Sequence, residues 1–369
     1  MTAARHQSGL TLGIAGRLHL RRQMLELTWF EVRVPAIDAH VARAAIGRHL
    51  GGRPIVIGTT SIRSRWQKHP FQTTGKASLM VLEKSMVEMI SPRDAVRAVE
   101  EQLRLHVGAA DWWTLHRGAS PVLATAIHNG HAVRADLEVY MAISAEERLR
   151  EEDPFTEFVT RDVSNRIAFH RSRFEIDLNR PRDGAVYLSP EQAWGLDIWR
   201  RSPPASEIEH SLAVHDEYYA MLGQVLKGLQ ERHGRFVVLD IHSYNHRRDG
   251  PGSAVADPSG APEINIGTFS MDRERWAHVL KPFIETLRAF EFQGRTVDVR
   301  ENIAFEGRGE QTRFVHEAFP ETGCAIAVEF KKFFMDEWTG LPDLEALVAM
   351  RAMLRSTLPV LESSLRSHE

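Results

Sequence analysis

The sequence predicts an α/β protein with a mostly parallel or mixed sheet, on three observations. From about Ala119 onward, short apolar runs rich in Val and Ile alternate with longer segments of helical apolar spacing. The run Val237-Val238-Leu239-Asp240-Ile241 is apolar but for one Asp, the pattern of a strand covered on both faces. Hydrophobic residues are 43% of 369, enough for a large core in one big domain or in one domain plus an appendage.

The elements follow in order. Ala36 to Leu50 has helical spacing and stops at Gly51-Gly52, and Pro54 to Gly58 suits a short strand. Trp66 to Lys76 is polar and turn-rich. Ser91 caps a helix with Pro92 in its first turn, running to about His106. No chemical motif falls here, so residues 1–110 read as an N-terminal extension or small accessory domain and 111–369 as the main domain. Val122 to Ile127 is a strand ending on His128-Asn129-Gly130-His131. Ser144 and Glu147 form a capping box for a helix to Glu152. Phe174 to Leu178 reads as a strand, Glu207 to Arg232 as a long amphipathic helix, and Phe236 to Ile241 as the buried strand. Arg247 to Pro262, rich in Gly, Pro and Asp, is a loop. Ile264 to Thr268 is a strand and Asp272 to Phe290 a helix. Thr296 to Val299 and Cys324 to Phe330 are strands, and Leu341 to Leu361 closes as a helix.

Composition excludes several classes. A net charge of −3 offers no basic field for nucleic acid. The single cysteine, Cys324, lies in an apolar run, so neither an internal disulfide nor a Cys-based zinc site is expected. No stretch of about 18 apolar residues suggests a membrane span. The polar start, Met1 to Gly9, lacks the apolar centre of a signal peptide, and a cytoplasmic setting is expected.

Chemistry gathers at strand ends. His128 and His242 each sit at the end of a strand, where open α/β sheets place their sites and where imidazole serves as a metal ligand. The plain alternative for either is a His bonding a nearby carbonyl, but the shared placement argues against coincidence. His131 and His246 lie close by in loops and read as supporting or solvated residues. A third ligand should be a carboxylate from Glu151 to Glu157, a charge run that Pro154 and Phe155 interrupt. Asp153 is the first choice and Glu152 the second, with Glu157 placed to orient a histidine. Asn179 and Arg180 suit a substrate carboxylate. Arg173 or Arg171 suits a scissile carbonyl, with an ordinary ion pair preferred for Arg171. Glu329 is a carboxylate inside an apolar strand, suited to general-base work; its alternative is an ion pair with Lys331, Lys332 or an Arg.

Together these pieces resemble the N-formylglutamate amidohydrolase family, a distant relation of zinc carboxypeptidases. The matching motifs are His128-Asn-Gly130, Glu152-Asp153, Ser172-Arg173, Asp177-Leu-Asn-Arg180, Asp240-Ile-His-Ser243, Asn302 with Gly307, and Glu329 before Met335-Asp336-Glu337. They agree in order over about residues 119–355. The resemblance implies a three-layer α/β/α fold of zinc-carboxypeptidase type with one zinc ion. His128, His242 and an acidic residue, Asp153, would be ligands. Glu329 would activate water, Arg173 would polarise the carbonyl, and Asn179, Arg180 and Asn302 would bind substrate. The implied activity is release of an acyl group such as formate from a small acidic N-acyl amino acid. The long N-terminal stretch departs from the family, and so does Ile303-Ala304-Phe305-Glu306, which puts a carboxylate where the family favours Pro and Gly. The alternatives are a carboxypeptidase-like hydrolase of a peptide or conjugated amino acid, and a non-catalytic binding module on a hydrolase frame.

Overall fold

The computed structural model describes residues 112–366. The helices and strand expected between Ala36 and His106 lie outside the described residues. The strands are β1 (Trp113–His116), β2 (Val122–Ala126), β3 (Asn165–Phe169), β4 (Phe236–Tyr244), β5 (Ile264–Gly267), β6 (Val299–Glu301) and β7 (Gly323–Lys331). The α-helices among the described residues are α1 (Ala135–Glu138), α2 (Ala145–Glu151), α3 (Thr156–Thr160), α4 (Ala205–His233), α5 (Ala277–Ala289), α6 (Glu310–Ala318) and α7 (Leu344–Arg366), with short 3-10 helices at Arg182–Gly184 and Pro190–Ala193.

One seven-stranded sheet runs β1-β3-β2-β4-β7-β5-β6. The inner strands β3, β2, β4 and β7 are parallel; β1 and β5 run antiparallel to β3 and β7. The sheet is therefore mixed. Period-two alternation divides β4 between two cores. Val237, Leu239 and Ile241 face a core shared with α5 and α7. Phe236 and Val238 face the opposite core, built with α4 and α6. Helices on both faces make the three layers that the resemblance implies.

Local sequence explains several boundaries. The Ser144 hydroxyl accepts the Glu147 N–H while the Glu147 carboxylate accepts the Ser144 N–H, which fixes the start of α2. The helix expected from Asp272 begins at Ala277, because Asp272 accepts the Arg275 N–H in a preceding turn. The strand expected at Thr296 moves to Val299–Glu301.

One expectation fails outright. Phe174 to Leu178 is not a strand but a chain of turns. Its alternating pattern is real, yet both sets of side chains are buried: Phe174, Ile176 and Leu178 in apolar clusters, Glu175 and Asp177 on polar partners. Glu175 accepts hydrogen bonds from the Arg134 side chain and backbone, and Asp177 accepts the Asn179 N–H. Backbone turn bonds replace ladder bonds along this stretch: the Glu175 and Ile176 N–H groups donate to the Ser172 carbonyl and the Asp177 N–H to the Ala185 carbonyl. The sequence pattern does not mark β1, β3, α1, α3 or α6.

Candidate functional site

The site forms at the carboxyl ends of three adjacent parallel strands, β2, β4 and β7. His128 follows β2. On β4, Asp240 and His242 are two residues apart and share a face. On β7, Glu329 stands directly beside His242 in the strand register.

Asp153 reaches the same point through a built turn. Helix α2 ends at Glu151, Glu152 is extended, and the Asp153 N–H donates to the His128 carbonyl at 2.9 Å. Phe155 adopts a left-handed conformation (φ 70°) and starts α3. The interruption at Pro154 and Phe155 thus marks a specific turn. Lys332, 1% exposed, fastens it: its ammonium donates to the carbonyls of Arg150 and Glu152 and to Asn245 Oδ1. Burial pulls this lysine down to about 8.

His128, Asp153 and His242 each present one ligand atom, all within 4.8 Å of one another and all buried. Asp153 Oδ2 is 3.0 Å from His242 Nδ1 and 3.3 Å from His128 Nδ1. Behind each imidazole stands another carboxylate. His128 Nε2 bonds Asp177 Oδ1 at 2.7 Å, and His242 Nε2 lies 3.1 Å from Asp240 Oδ2. Both rings thus point Nδ1 inward and Nε2 toward an aspartate; at His128 that contact is a hydrogen bond, the kind that fixes ring orientation and raises ligand basicity at metal sites.

Each supporting aspartate is itself held. Asp177 accepts from Arg173 Nη2 at 2.9 Å, from the Tyr187 hydroxyl and from the Asn179 N–H at 2.8 Å. Asp240 accepts from Thr125 Oγ1 and Gln311 Nε2, and Gln311 accepts from Tyr218. Burial opposes charge on Asp153 and Asp177. The His128 imidazole 3.3 Å away and a hydrogen bond from His242 outweigh it at Asp153, and Arg173 with His128 outweighs it at Asp177, so both stay below the usual carboxylate range. Burial likewise disfavours charge on His242, but Asp240 and Asp153 hold it well above the ordinary histidine value. The Glu329 carboxyl goes the other way: burial pushes it up to about 7. The two neighbouring lysines are engaged elsewhere, Lys331 on the Ala261 carbonyl and Lys332 on the turn.

The remaining sequence candidates divide. Arg173, Asn179, Arg180 and Asn302 line one cavity of about 690 Å³ with the His-Asp-His cluster and Glu329. Arg173 also lies 4.8 Å over the Trp194 ring. Arg180 is 42% exposed and lines the cavity; its guanidinium donates to the Gln192 carbonyl at 3.4 Å, comes within 4.0 Å of Asp177 and lies 5.7 Å over the Tyr187 ring. The Asn302 side chain is engaged by Thr268 on both its oxygen and its nitrogen, and its backbone is left-handed (φ 53°), so it shapes the cavity wall. Glu152 binds the Ser172 hydroxyl and His131, outside the cluster. Glu157 faces Arg161 at 4.0 Å rather than a cluster histidine. Arg171 lies 4.9 Å over the Trp112 ring, with no ion pair within 4 Å among the described residues. Cys324 is buried, as expected.

Asp177 and Asp240 are the residues that sequence reasoning left without a role. A signal existed for Asp240: in Asp-x-His on a strand, both side chains fall on one face. For Asp177 no local signal pointed to a histidine 49 positions away.

The family model for N-formylglutamate amidohydrolase matches residues 120–335. Among solved structures, the chain is similar to the N-formylglutamate amidohydrolase from Ralstonia eutropha JMP134, with 19% identity and a TM-score of 0.55, covering 69% of this chain and 99% of that one. It is also similar to a gene product from Agrobacterium tumefaciens, with 16% identity and a TM-score of 0.48, covering 69% of this chain and 95% of that one. No curated protein matches significantly. The matched span includes His128, Asp153, Arg173, Asn179, Arg180, His242, Asn302 and Glu329. The chain belongs to the N-formylglutamate amidohydrolase family.

Proposed function

We propose that this chain is a zinc-dependent amidohydrolase that removes the acyl group from a small acidic N-acyl amino acid. The observation that carries the reading is the convergence of His128, Asp153 and His242, each imidazole backed by a carboxylate. The donor set fits the metal. Nδ1 of His128 is a buried nitrogen without a hydrogen-bond partner, facing its two fellow ligands. Two imidazoles and one carboxylate are the ligands of catalytic zinc, which keeps a further position open. Zinc bound there would supply Lewis acidity toward a carbonyl oxygen and would lower the proton affinity of water.

The chain's own groups supply the rest. Arg180 and Asn179 hold the substrate carboxylate. Arg173, fixed by Asp177 and Trp194, presents its guanidinium to the scissile carbonyl and favours the oxyanion that forms when water attacks. Glu329 takes the proton from that water and hands it to the departing amide nitrogen as the C–N bond breaks. The products are the carboxylate of the acyl group and a free amine.

The test joins metal content to turnover. Elemental analysis should find about one zinc per chain, absent from His242→Ala. The zinc-loaded protein should hydrolyse N-formyl-L-glutamate or a related N-acyl amino acid. A protein that takes up no zinc when supplied, or that binds it and cleaves no N-acyl amino acid, would overturn the reading.

A further inference from the structure

The segment 302–309 carries side chains that the chemistry above does not use. Ile303, Ala304 and Phe305 line the same cavity as the His-Asp-His cluster. Ile303 and Phe305 are 45% and 39% exposed. Single exposed apolar side chains are ordinary, but these adjoin one another on the wall of a polar cavity, and their backbone is fixed. Asn265, fully buried, accepts the N–H groups of Ile303 and Ala304 at 2.9 Å each and donates to the Phe305 carbonyl at 2.7 Å. The Phe305 ring packs edge-on against Tyr244, also a wall residue, with centroids 5.3 Å apart. Gly267 and Gly307 set how closely the loop approaches the sheet: a Cβ on Gly267 would come within 2.6 Å of the Gly307 Cα. An apolar surface ordered in advance needs little further ordering when a ligand arrives. The cavity volume of about 690 Å³ falls in the range that encloses a sizeable organic ligand. A formyl group brings a single carbon, which would leave most of this wall in water.

We propose that the acyl group this chain removes is apolar and several carbons in size, seated on Ile303, Phe305 and Tyr244, while Asn179 and Arg180 hold the amino-acid carboxylate. The inference rests on the amidohydrolase reading and specifies its substrate. Every added methylene that leaves water for this wall lowers the transition state as well as the bound state, so the preference is read in kcat/KM.

The experiment uses the full chain supplied with zinc and the N-formyl, N-acetyl, N-hexanoyl and N-benzoyl derivatives of L-glutamate. Values of kcat/KM should rise roughly tenfold or more from acetyl to hexanoyl or benzoyl. Phe305→Ala and Ile303→Asp should each lower the ratio of long-acyl to formyl kcat/KM by roughly tenfold. Ile303 is exposed, so its variant tests the wall without opening the core, and thermal melts check that both variants fold. A preference for formyl, or a ratio unmoved in both folded variants, overturns the inference and leaves the amidohydrolase reading intact. Failure to hydrolyse any member of the series overturns both.

Discussion

Asp177→Asn separates what holds this site together from what the site binds. The Asp177 carboxylate is fully buried and accepts from four groups: His128 Nε2, Arg173 Nη2, the Tyr187 hydroxyl and the Asn179 N–H. An amide of equal size turns one of its two acceptor oxygens into a donor. One side then sets N–H against N–H or O–H, and the Arg173 guanidinium, only 12% exposed, loses its charged partner. Breaking a buried pair from one side costs about 3–5 kcal/mol, because the remaining charge stays buried. For a domain of this size that lowers the melting temperature by roughly 10 °C. The same change removes the carboxylate behind His128 and should weaken zinc binding about 10–100-fold. Thermal or urea unfolding of the chelated protein reads the first effect, and a competition titration against a zinc indicator reads the second. A variant that melts like the parent and binds zinc equally tightly would refute the reasoning at both points. A stability loss with unchanged zinc affinity would show Asp177 to be a structural anchor that does not orient His128.

Three further outcomes follow from the same geometry. Glu329→Gln should retain zinc and lose about 10²–10⁴-fold in kcat, as expected for a lost general base; parent-like turnover would remove Glu329 from the mechanism. Arg180→Ala should raise KM for acidic substrates by roughly 10–100-fold, the worth of a charge-assisted hydrogen bond, with a smaller change in kcat; an unchanged KM would end the carboxylate-binding role. His316, on α6, is pulled by burial from 6.5 to about 4, and its Nε2 accepts the Ala325 N–H while Nδ1 meets the Ser270 hydroxyl. Between those two values the unfolded chain binds a proton that the folded chain refuses. Stability contributed by neutral His316 is therefore complete above pH 6.5 and lost as pH falls to about 4, by up to about 3 kcal/mol at about 1.4 kcal/mol per pH unit. His316→Gln should flatten that part of the stability profile, and an equally steep fall in the variant would refute the assignment.

What the sequence made legible depended on whether the signal was local. β4 announced itself because a central parallel strand needs apolar residues on both faces, and α4 because its amphipathic pattern lasts seven turns or more. Asp153 was legible from Pro154 and Phe155, which break a charge run that would otherwise be a solvated face. The string Phe174 to Leu178 misled because alternation reports burial period, not hydrogen bonding, and here turns bury both sets of side chains. β3 escaped notice because Asn165 and Arg166 open it: Asn165 is buried on the carbonyls of Ser120 and Val122, which no neighbouring residue reveals. Asp177 and Gln311 were invisible for the same reason, since the partners that define them lie 49 or more positions away, whereas Asp240 carries a local signal in its Asp-x-His spacing to His242.

The way Asn265 holds residues 303 to 305 bears on how this fold changes its tastes. One buried amide does the work that a neighbouring strand would do, and the Gly267–Gly307 contact sets the height of the loop. The side chains at 303 and 305 therefore carry little of the folding load and are free to drift. A library randomised at those two positions should return mostly folded proteins with different appetites. One randomised at Asn265 and Gly307 should return mostly collapsed ones. On the acyl-group proposal, the fold keeps variation in selectivity, at 303 and 305, apart from variation in stability, at Asn265 and Gly307.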